Sequence, residues 1–331
     1  MQKRLGIDIA DALTIPTHGD LAMNAHSDAI LALCASMPPA RTAVVHPVKA
    51  NVLEAVASAS RANLIVPVLV GPREKIEAAA AAAAVDISQW EIVEAEHSHA
   101  AAAKAVALAV NQHVGVIMKG SLHTDELLAA ILDPQSGLRT ERRISHAYLM
   151  SLGSYPKPFI ITDAAINILP DLAVKADIVQ NAVDLWHVVF GQQTLPKVAV
   201  LAAVETVNPK MIATIDAAAL CKMADRGQII GALIDGPLAF DNAISVEAAR
   251  EKGIISEVAG HADILLVPDI EAGNMLAKQL SFLGGADAAG IVLGARVPVI
   301  LTSRADSELT RLLSCALALL LVQARKAGQI K

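Results

Sequence analysis

The sequence predicts an α/β protein in which helices cover parallel, doubly wound sheet structure. Its 331 residues correspond to about two domains of ordinary size. Hydrophobic residues make up 54% of the chain and aromatic residues only 2%, so the core must consist of Ala, Val, Ile and Leu. Such a core is typical of helices packed on buried parallel strands. Short β-branched runs also alternate with Ala-rich amphipathic stretches throughout the chain.

The first half of the chain contains four alternating pairs of strand and helix. Each predicted strand is a short run of aliphatic and β-branched residues, and each predicted helix is the amphipathic stretch that follows it. The predicted strands are Thr42–His46, Leu64–Val70, Trp90–Glu94 and Val114–Met118. The predicted helices are Lys49–Arg61, Arg73–Ala84, Ala100–Val110 and one that ends near Leu132.

A second alternating set begins at His146, after the turn residues of segment 133–137. Its predicted strands are His146–Ser151, Phe159–Thr162, Val198–Val204, Ile229–Ile234, Ile264–Val267, Gly290–Leu293 and Val297–Leu301. Its predicted helices are Leu172–Gly191, Lys210–Ala224, Val246–Glu251, Ala272–Leu283 and Ser307–Lys326. The last helix starts in an Asp-Ser-Glu cluster, which is typical of a helix N-cap.

Charge and hydropathy exclude several classes of function. With 27 Lys and Arg against 33 Asp and Glu, the chain lacks the basic surface that nucleic-acid binding needs. The longest apolar run, Leu312–Val322, is about half of the roughly 20 residues that a membrane span requires. Acidic residues stand where a signal peptide would be apolar, so we expect a cytoplasmic protein. The three cysteines form no CxxC pair, and we expect neither disulfides nor a metal site.

In open parallel sheets, ligands bind beyond the carboxyl ends of the strands. The segment after the last strand, Thr302-Ser303-Arg304-Ala305-Asp306, combines a hydroxyl, a guanidinium and a helix start. Helix N-termini and arginine forks both bind phosphate. Asp306 either caps the helix or acts as a base. A helix cap beside a surface arginine explains the same residues without any function.

Two further turns carry groups that suit an anion or a substrate. Lys119, Gly120 and the nearby hydroxyls resemble an anion-binding loop, although no Walker motif is present. His123 is a weaker signal, because a single histidine is more often structural. Asp235 and Asp241 flank a Gly-Pro turn, where they position a substrate, brace an arginine or merely form the turn.

A last turn, from Pro268 to Asn274, again places carboxylates at a helix start. Capping alone accounts for Asp269. Gly273 is less expected, since glycine costs about 1 kcal/mol inside a helix, and it allows a ligand or another backbone to approach closely. Asp269 and Asn274 are therefore included among the candidate substrate-binding residues.

Five segments of the chain carry a family resemblance. They are 200–211, 222–228, 235–245, 262–274 and 299–307. In sequence and order they resemble the phosphate acetyl/butyryltransferase family, most closely its phosphate butyryltransferase branch. The resemblance extends from about residue 40 to 325.

The resemblance implies two doubly wound α/β domains with an interdomain cleft, similar to the isocitrate and isopropylmalate dehydrogenases. In that architecture the C-terminal helix returns to the first domain. We therefore expect residues 1–142 with 297–331 to form one domain, and residues 143–296 to form the other. A homodimer is also implied.

The implied reaction is reversible acyl transfer, in which acyl-CoA and phosphate give acyl phosphate and CoA. The acyl group is short, butyryl or acetyl, and the mechanism uses a ternary complex. Coenzyme A is a substrate, and no tightly bound cofactor is expected. Partners are acyl-CoA and inorganic phosphate, with no nucleic acid and no membrane.

The family's Ser-Arg pair maps onto Ser303 and Arg304, beside Thr302. The family's catalytic aspartate falls near Thr310, which cannot act as a base, so we prefer Asp306 over Glu308. An arginine of the acetyl branch falls near Leu128, and Lys119 and Arg139 are our candidates to replace its charge.

Three alternatives stay open. An acyl-carrier-protein-linked phosphate acyltransferase would use a basic docking face, for which Arg139, Arg142 and Arg143 are candidates. An NAD-dependent decarboxylating dehydrogenase would need metal-binding aspartates that are not evident. A non-catalytic CoA-binding protein is disfavoured by the Ser303–Arg304 pair.

Overall fold

The computed structural model describes residues 25–301 and 306–330, and it confirms a mixed α/β fold. The strands are β1 (Ala40–Val45), β2 (Ile65–Gly71), β3 (Glu91–Glu94), β4 (Val116–Lys119), β5 (Ser145–Ser151), β6 (Phe159–Thr162), β7 (Lys197–Leu201), β8 (Leu233–Leu238), β9 (Ile264–Leu266), β10 (Asp287–Leu293) and β11 (Val299–Ile300). The helices are α1 (Ala25–Cys34), α2 (Ala50–Arg61), α3 (Arg73–Ala82), α4 (Ser98–Val110), α5 (Thr124–Leu132), α6 (Leu172–Phe190), α7 (Ile212–Asp225), α8 (Phe240–Ile244), α9 (Val246–Glu251), α10 (Ile270–Phe282) and α11 (Glu308–Lys326).

The chain divides into two compact units. The first unit comprises Ile30–Tyr148 and Ala288–Lys331, and the second comprises Leu149–Asp287 with the residues before Ile30. The divisions fall within β5 and at the start of β10, whereas the sequence placed domain boundaries in turns near residues 142 and 296. A boundary inside a continuous strand leaves no turn signal in the sequence. The predicted domain boundaries stay a prediction.

The first unit contains strands in the order β3-β2-β1-β4-β11-β10-β5. Strands β3, β2, β1, β4 and β11 pair in parallel with their neighbours in this order. Val45 at the end of β1 lies opposite Lys119 at the end of β4, and Ile300 of β11 lies opposite Met118. The carboxyl ends of these strands therefore share one edge, which we call the carboxyl edge of the first unit.

The second unit contains strands in the order β6-β9-β7-β8, and all of these pairs are parallel. Strands β6, β9 and most of β7 are fully buried, as expected for parallel strands covered by helices. The loops after β6 and β9 consequently leave the sheet side by side. One of these loops follows Thr162, and the other leads into α10.

One strand pair departs from the parallel arrangement that the sequence predicts. Strands β10 and β11 are antiparallel, with Val292 opposite Val299. Only five residues, 294–298, connect them. A connection this short cannot make the crossover that parallel strands need, so the two strands run in opposite directions.

The prediction of a strand over Ile229–Ile234 is wrong, because β8 begins at Leu233. Gly231 has a φ of +81°, in the left-handed region that a strand cannot accommodate, and Ile230 is exposed. The strand instead includes Pro237, which is tolerated because β8 is the outermost strand of the sheet that the described residues form. Helix α8, directly after β8, was not predicted.

The final helix begins as its sequence indicates. Ser307 is the N-cap of α11, and its Oγ accepts a hydrogen bond of 3.1 Å from the backbone N–H of Thr310. Much of α11 is buried, including Leu313 and Leu317. Among the helices that the structure describes, none has the length and apolar character needed to cross a membrane.

An ion pair is buried between α6 and α7 in the second unit. Lys175 Nζ lies 2.7 Å from Asp216 Oδ2, and the two side chains are only 5% and 12% exposed. Neither charge can regain water if its partner is removed. The pair is therefore a strong constraint on the packing of these two helices.

Replacing Lys175 with Met should lower the free energy of unfolding by about 3–5 kcal/mol, because Asp216 would keep a buried, uncompensated charge. The measurement is urea unfolding followed by circular dichroism. Lys222→Met is the matched control, since Lys222 forms an exposed ion pair with Asp225 on α7. It should leave the unfolding midpoint unchanged. An equal loss in both variants would contradict the assignment.

Candidate functional site

The loop after β4 lies across the end of β1 in the first unit. Gly120 N–H donates a 3.0 Å hydrogen bond to Val45 O, and Ser121 N–H donates one of 3.0 Å to His46 O. A Cβ at position 120 would overlap the Val45 oxygen, so only glycine fits. Lys119 Nζ donates to Leu122 O at 3.3 Å, which turns this side chain along the same loop.

His123 and Arg139 lie on either side of α5. His123 is the N-cap residue of α5, is exposed, and makes no side-chain cap hydrogen bond. Arg139 is exposed and forms an isolated antiparallel bridge with Ala295. Lys119 and His123 therefore stand at the carboxyl edge together, whereas Arg139 follows the far end of α5.

The predicted Ser-Arg segment follows β11 in the sequence. Thr302, Ser303 and Arg304 are outside the described residues. Leu301, which precedes them, follows directly from β11, and β11 is paired in parallel with β4. The chain therefore enters this segment at the edge where β4 ends in Lys119.

Asp306 is not the cap of α11, because Ser307 holds that position. Its neighbour is Tyr148: burial, and secondarily the charge of Asp306, raise the pKa of the Tyr148 phenol to about 12. Glu308, the other carboxylate considered as a base, accepts a 2.5 Å hydrogen bond from Ser58 Oγ of α2. Glu308 is thus engaged in helix packing, and Asp306 lies in the more buried surroundings.

Tyr148 also contacts a buried histidine that sequence reasoning did not select. The rings of His146 and Tyr148 meet edge to face with centroids 4.3 Å apart. A Cβ on Gly290 of β10 would lie 3.0 Å from both side chains, so this glycine makes room for them. Burial lowers the pKa of His146 to about 3, which keeps its imidazole neutral.

The loop after β6 in the second unit is organised by a buried aspartate that the sequence analysis missed. Asp163 is 2% exposed, and its carboxylate accepts hydrogen bonds from the backbone N–H groups of Ala165, Ile166 and Asn167. Asn167 Nδ2 donates a fourth, at 2.6 Å. Burial raises the pKa of Asp163, and these hydrogen bonds oppose that shift. A polar residue directly after the apolar strand β6 was the available sequence signal.

The start of α10 packs on this loop. Asp269 is the N-cap of α10 and accepts a 2.9 Å hydrogen bond from Ala272 N–H. Asn274 Nδ2 donates to Ala164 O at 3.2 Å. A Cβ on Gly273 would lie 2.6 Å from the backbone oxygen of Asp163, so the glycine permits the close backbone approach that its position suggested. The structure thus brings Asp269 and Asn274 together with the Asp163 loop.

The expected Gly-Pro turn between Asp235 and Asp241 is a strand followed by a helix. Asp235 lies within β8 and accepts a hydrogen bond from the adjacent Gly236 N–H at 2.8 Å. Asp241 is exposed on α8. Asn242 is the buried polar residue here, and its Nδ2 donates to Glu205 Oε1. The turn interpretation is wrong because the chain pairs with β7 up to Leu238.

The described residues contain neither a group of metal-binding side chains nor, at Cys221, an activated thiol. In residues 25–301 and 306–330, no group of three or more His, Cys, Asp or Glu side chains is arranged to hold a metal ion. Burial, with a smaller contribution from Asp235, raises the pKa of Cys221 to about 11. This thiol is therefore not a thiolate nucleophile at neutral pH.

Comparisons with known proteins give a consistent family. A family model described as "Phosphate acetyl/butaryl transferase" matches residues 98–319. The chain is similar to a phosphate acetyltransferase of Rickettsia felis, with 57% identity over 87% of this chain and 82% of that protein. It is also similar to a phosphate butyryltransferase of Clostridium acetobutylicum, with 43% identity over 81% of this chain and 89% of that protein.

A solved structure supports the same relationship. The crystal structure of a branched-chain phosphotransacylase from Enterococcus faecalis superposes with a TM-score of 0.74 and 30% identity. The match covers 85% of this chain and 99% of the other. It confirms the α/β architecture that the alternation of strands and helices predicts.

Proposed function

The chain belongs to the phosphate acetyl/butyryltransferase family, and we propose that the acyl group it moves between CoA and inorganic phosphate is acetyl. The observation that carries this choice is the higher identity to the named acetyltransferase than to the named butyryltransferase. Butyryl is the second candidate, because the identity to the butyryltransferase is itself substantial. The reaction has acyl-CoA and phosphate on one side, and acyl phosphate and CoA on the other.

We propose a ternary-complex mechanism in which Arg304 and the N-terminus of α11 bind phosphate. A guanidinium forms two parallel hydrogen bonds to a phosphate, and the helix dipole favours its charge. One of the backbone N–H groups at this end, that of Thr310, donates its hydrogen bond to Ser307 Oγ. Lys119, at the end of the neighbouring strand β4, contributes positive charge from the same edge.

In the direction of acyl-CoA formation, Asp306 removes the proton of the CoA thiol. The thiolate attacks the carbonyl carbon of the acyl phosphate, Ser303 donates a hydrogen bond to the developing oxyanion, and phosphate leaves. Asp306 is preferred for this role because Ser307 is the cap of α11 and because Glu308 is bonded to Ser58 of α2. No oxidation state changes, so the reaction needs no redox cofactor.

Arg304→Ala should raise the KM for phosphate at least tenfold, because the charged fork that holds the anion is lost. Asp306→Asn should lower kcat by a factor of about 10² to 10⁴, the usual contribution of a general base. Steady-state release of CoA thiol measures both. Glu308→Gln is the matched control and should keep the wild-type rate; if it loses turnover while Asp306→Asn does not, Glu308 is the base.

The acyl preference is tested by comparing acetyl-, propionyl-, butyryl- and octanoyl-CoA with phosphate. We expect kcat/KM for acetyl-CoA to exceed that for butyryl-CoA at least tenfold, since one or two methylenes change discrimination by about 10- to 200-fold. A higher value for butyryl-CoA would establish the second candidate. Parallel reactions with acyl carrier protein thioesters and with NAD test the remaining alternatives.

We also propose that the enzyme is a homodimer formed through α10. Met275 and Phe282 lie seven residues apart on one face of this helix and are 64% and 70% exposed. Leu283 follows Phe282 directly and is also exposed. Ile168, another exposed apolar residue, lies at the start of the helix, where its carbonyl oxygen accepts a hydrogen bond from Ile270 N–H. An exposed apolar face of this kind is typical of a contact between copies.

A Phe282→Asp, Leu283→Asp double variant should be monomeric, because charges would be buried in the contact. Size-exclusion chromatography with light scattering gives the mass. Ile255→Asp is the control, since Ile255 is fully exposed elsewhere in the second unit. A dimeric double variant would exclude α10 as the contact.

We propose that the enzyme is cytoplasmic, because its cysteine thiols are free. Cys34, Cys221 and Cys315 are all free in the structure. Free thiols persist in reducing compartments.

A further inference from the structure

Three buried polar atoms on neighbouring segments at the carboxyl edge of the first unit indicate a ligand. They are His46 Nδ1, Ser121 Oγ and Glu126 Oε2, and none has a hydrogen-bond partner among the described residues. We call these three residues the His46 cluster. A buried polar atom without a hydrogen-bond partner is destabilising, so three of them on neighbouring segments indicate a bound group.

The three residues come from different elements, and Ser121 and Glu126 each interact with His46. His46 follows β1, and its carbonyl accepts the hydrogen bond from Ser121 N–H. Glu126 belongs to the first turn of α5. Its carboxylate is close enough to act on His46, whose pKa is lowered chiefly by burial and next by Lys75, against the opposing effect of Glu126.

Backbone geometry also marks this position. His46 has a φ of +55°, a left-handed conformation that is uncommon for a residue with a side chain. Its N–H donates to Val70 O at 2.7 Å and its carbonyl accepts from Ser121, so hydrogen bonds on both sides hold it there. Such strained residues concentrate at ligand sites.

The chemistry of the cluster selects a neutral ligand group. A carboxylate oxygen only accepts hydrogen bonds, so the atom facing Glu126 must be a donor. Ser121 Oγ and His46 Nδ1 can each donate or accept. His99 Nδ1 lies 3.7 Å from Glu126 Oε2, beyond hydrogen-bond distance. An amide or hydroxyl group can both donate and accept hydrogen bonds, as these atoms require, whereas a phosphate would be repelled by the carboxylate.

We propose that the His46 cluster binds an amide or hydroxyl group of the pantetheine arm of CoA. This rests on the proposed function, which makes CoA a substrate. The pantetheine arm carries two amides and a hydroxyl, and its thiol end must reach the acyl-transfer residues. β1 is separated from β11, which leads to those residues, by β4 alone.

Isothermal titration calorimetry tests the proposal without requiring turnover. The full chain is titrated with CoA, with pantetheine, and with adenosine 3′,5′-bisphosphate, which lacks the arm. Ser121→Ala and Glu126→Gln should weaken the binding of CoA and of pantetheine about tenfold each, the effect of one lost hydrogen bond to a buried group. Binding of the nucleotide should not change.

Glu257→Gln is the matched control, because Glu257 is exposed in the second unit. Urea unfolding without ligand distinguishes a binding role of Glu126 from a structural one, because the two roles predict opposite shifts of the unfolding midpoint. Glu126→Gln should unfold at the same or a higher urea concentration than wild type, since it removes a negative charge whose Oε2 is buried without a hydrogen bond. A lower midpoint with unchanged CoA affinity would overturn the proposal.

The outcomes separate this inference from the proposed function. Wild-type turnover of acetyl-CoA combined with unchanged CoA and pantetheine affinity in both variants would overturn the inference alone. Equal weakening of nucleotide binding and of pantetheine binding would also overturn it, because the cluster would then not recognise the pantetheine arm specifically. Absence of wild-type turnover would overturn the function, while selective loss of pantetheine affinity would still support the cluster.

Discussion

The approach of Gly120 to the end of β1 is the contact on which the polar edge of the first unit depends. The backbone N–H groups of Gly120 and Ser121 bond to the carbonyls of Val45 and His46, and no side chain could be accommodated at position 120. This contact draws the chain that leaves β4 across β1 instead of away from the sheet. As a result, the backbone of Ser121 bonds to that of His46, while Lys119 remains at its strand end. One glycine therefore determines which polar groups share the edge.

Parallel pairing extends the same edge toward the proposed acyl-transfer residues. Because β11 lies beside β4 with Ile300 opposite Met118, the chain that precedes Ser303 and Arg304 ends next to the carboxyl end of β4. The antiparallel turn-back from β10 to β11 makes this possible, since it delivers the chain into β11 in the direction of β4. Beyond that segment, Ser307 caps α11 and leaves Asp306 beside Tyr148. Local capping thus separates the residue that starts the helix from the one assigned to proton transfer.

The sequence predicts the α/β class and most elements to within a few residues, because hydrophobic alternation and helix length are local properties. The strand at Ile229–Ile234 is misplaced for a local reason as well, since apolar residues continue through Gly231 although the backbone turns there. The site is harder to predict. Asp269 at a helix start follows from its neighbours in the chain, and the structure has it as an N-cap. His46, Tyr148 and Asp163 matter because of burial and of groups brought in from other strands, which one sequence does not display.

Two buried carboxylates show how the surroundings distinguish a structural group from a binding group. Asp163 accepts four hydrogen bonds, three from the backbone of its own loop and one from Asn167. Its hydrogen bonding is provided within the loop, and its effect is to fix that loop against α10. Glu126 Oε2 is buried without such donors among the described residues, beside two further polar atoms in the same condition. A buried acceptor that the protein leaves unsatisfied is costly, and a ligand donor removes that cost. For this reason the unsatisfied carboxylate, rather than the fully bonded one, is where a substrate group is recognised.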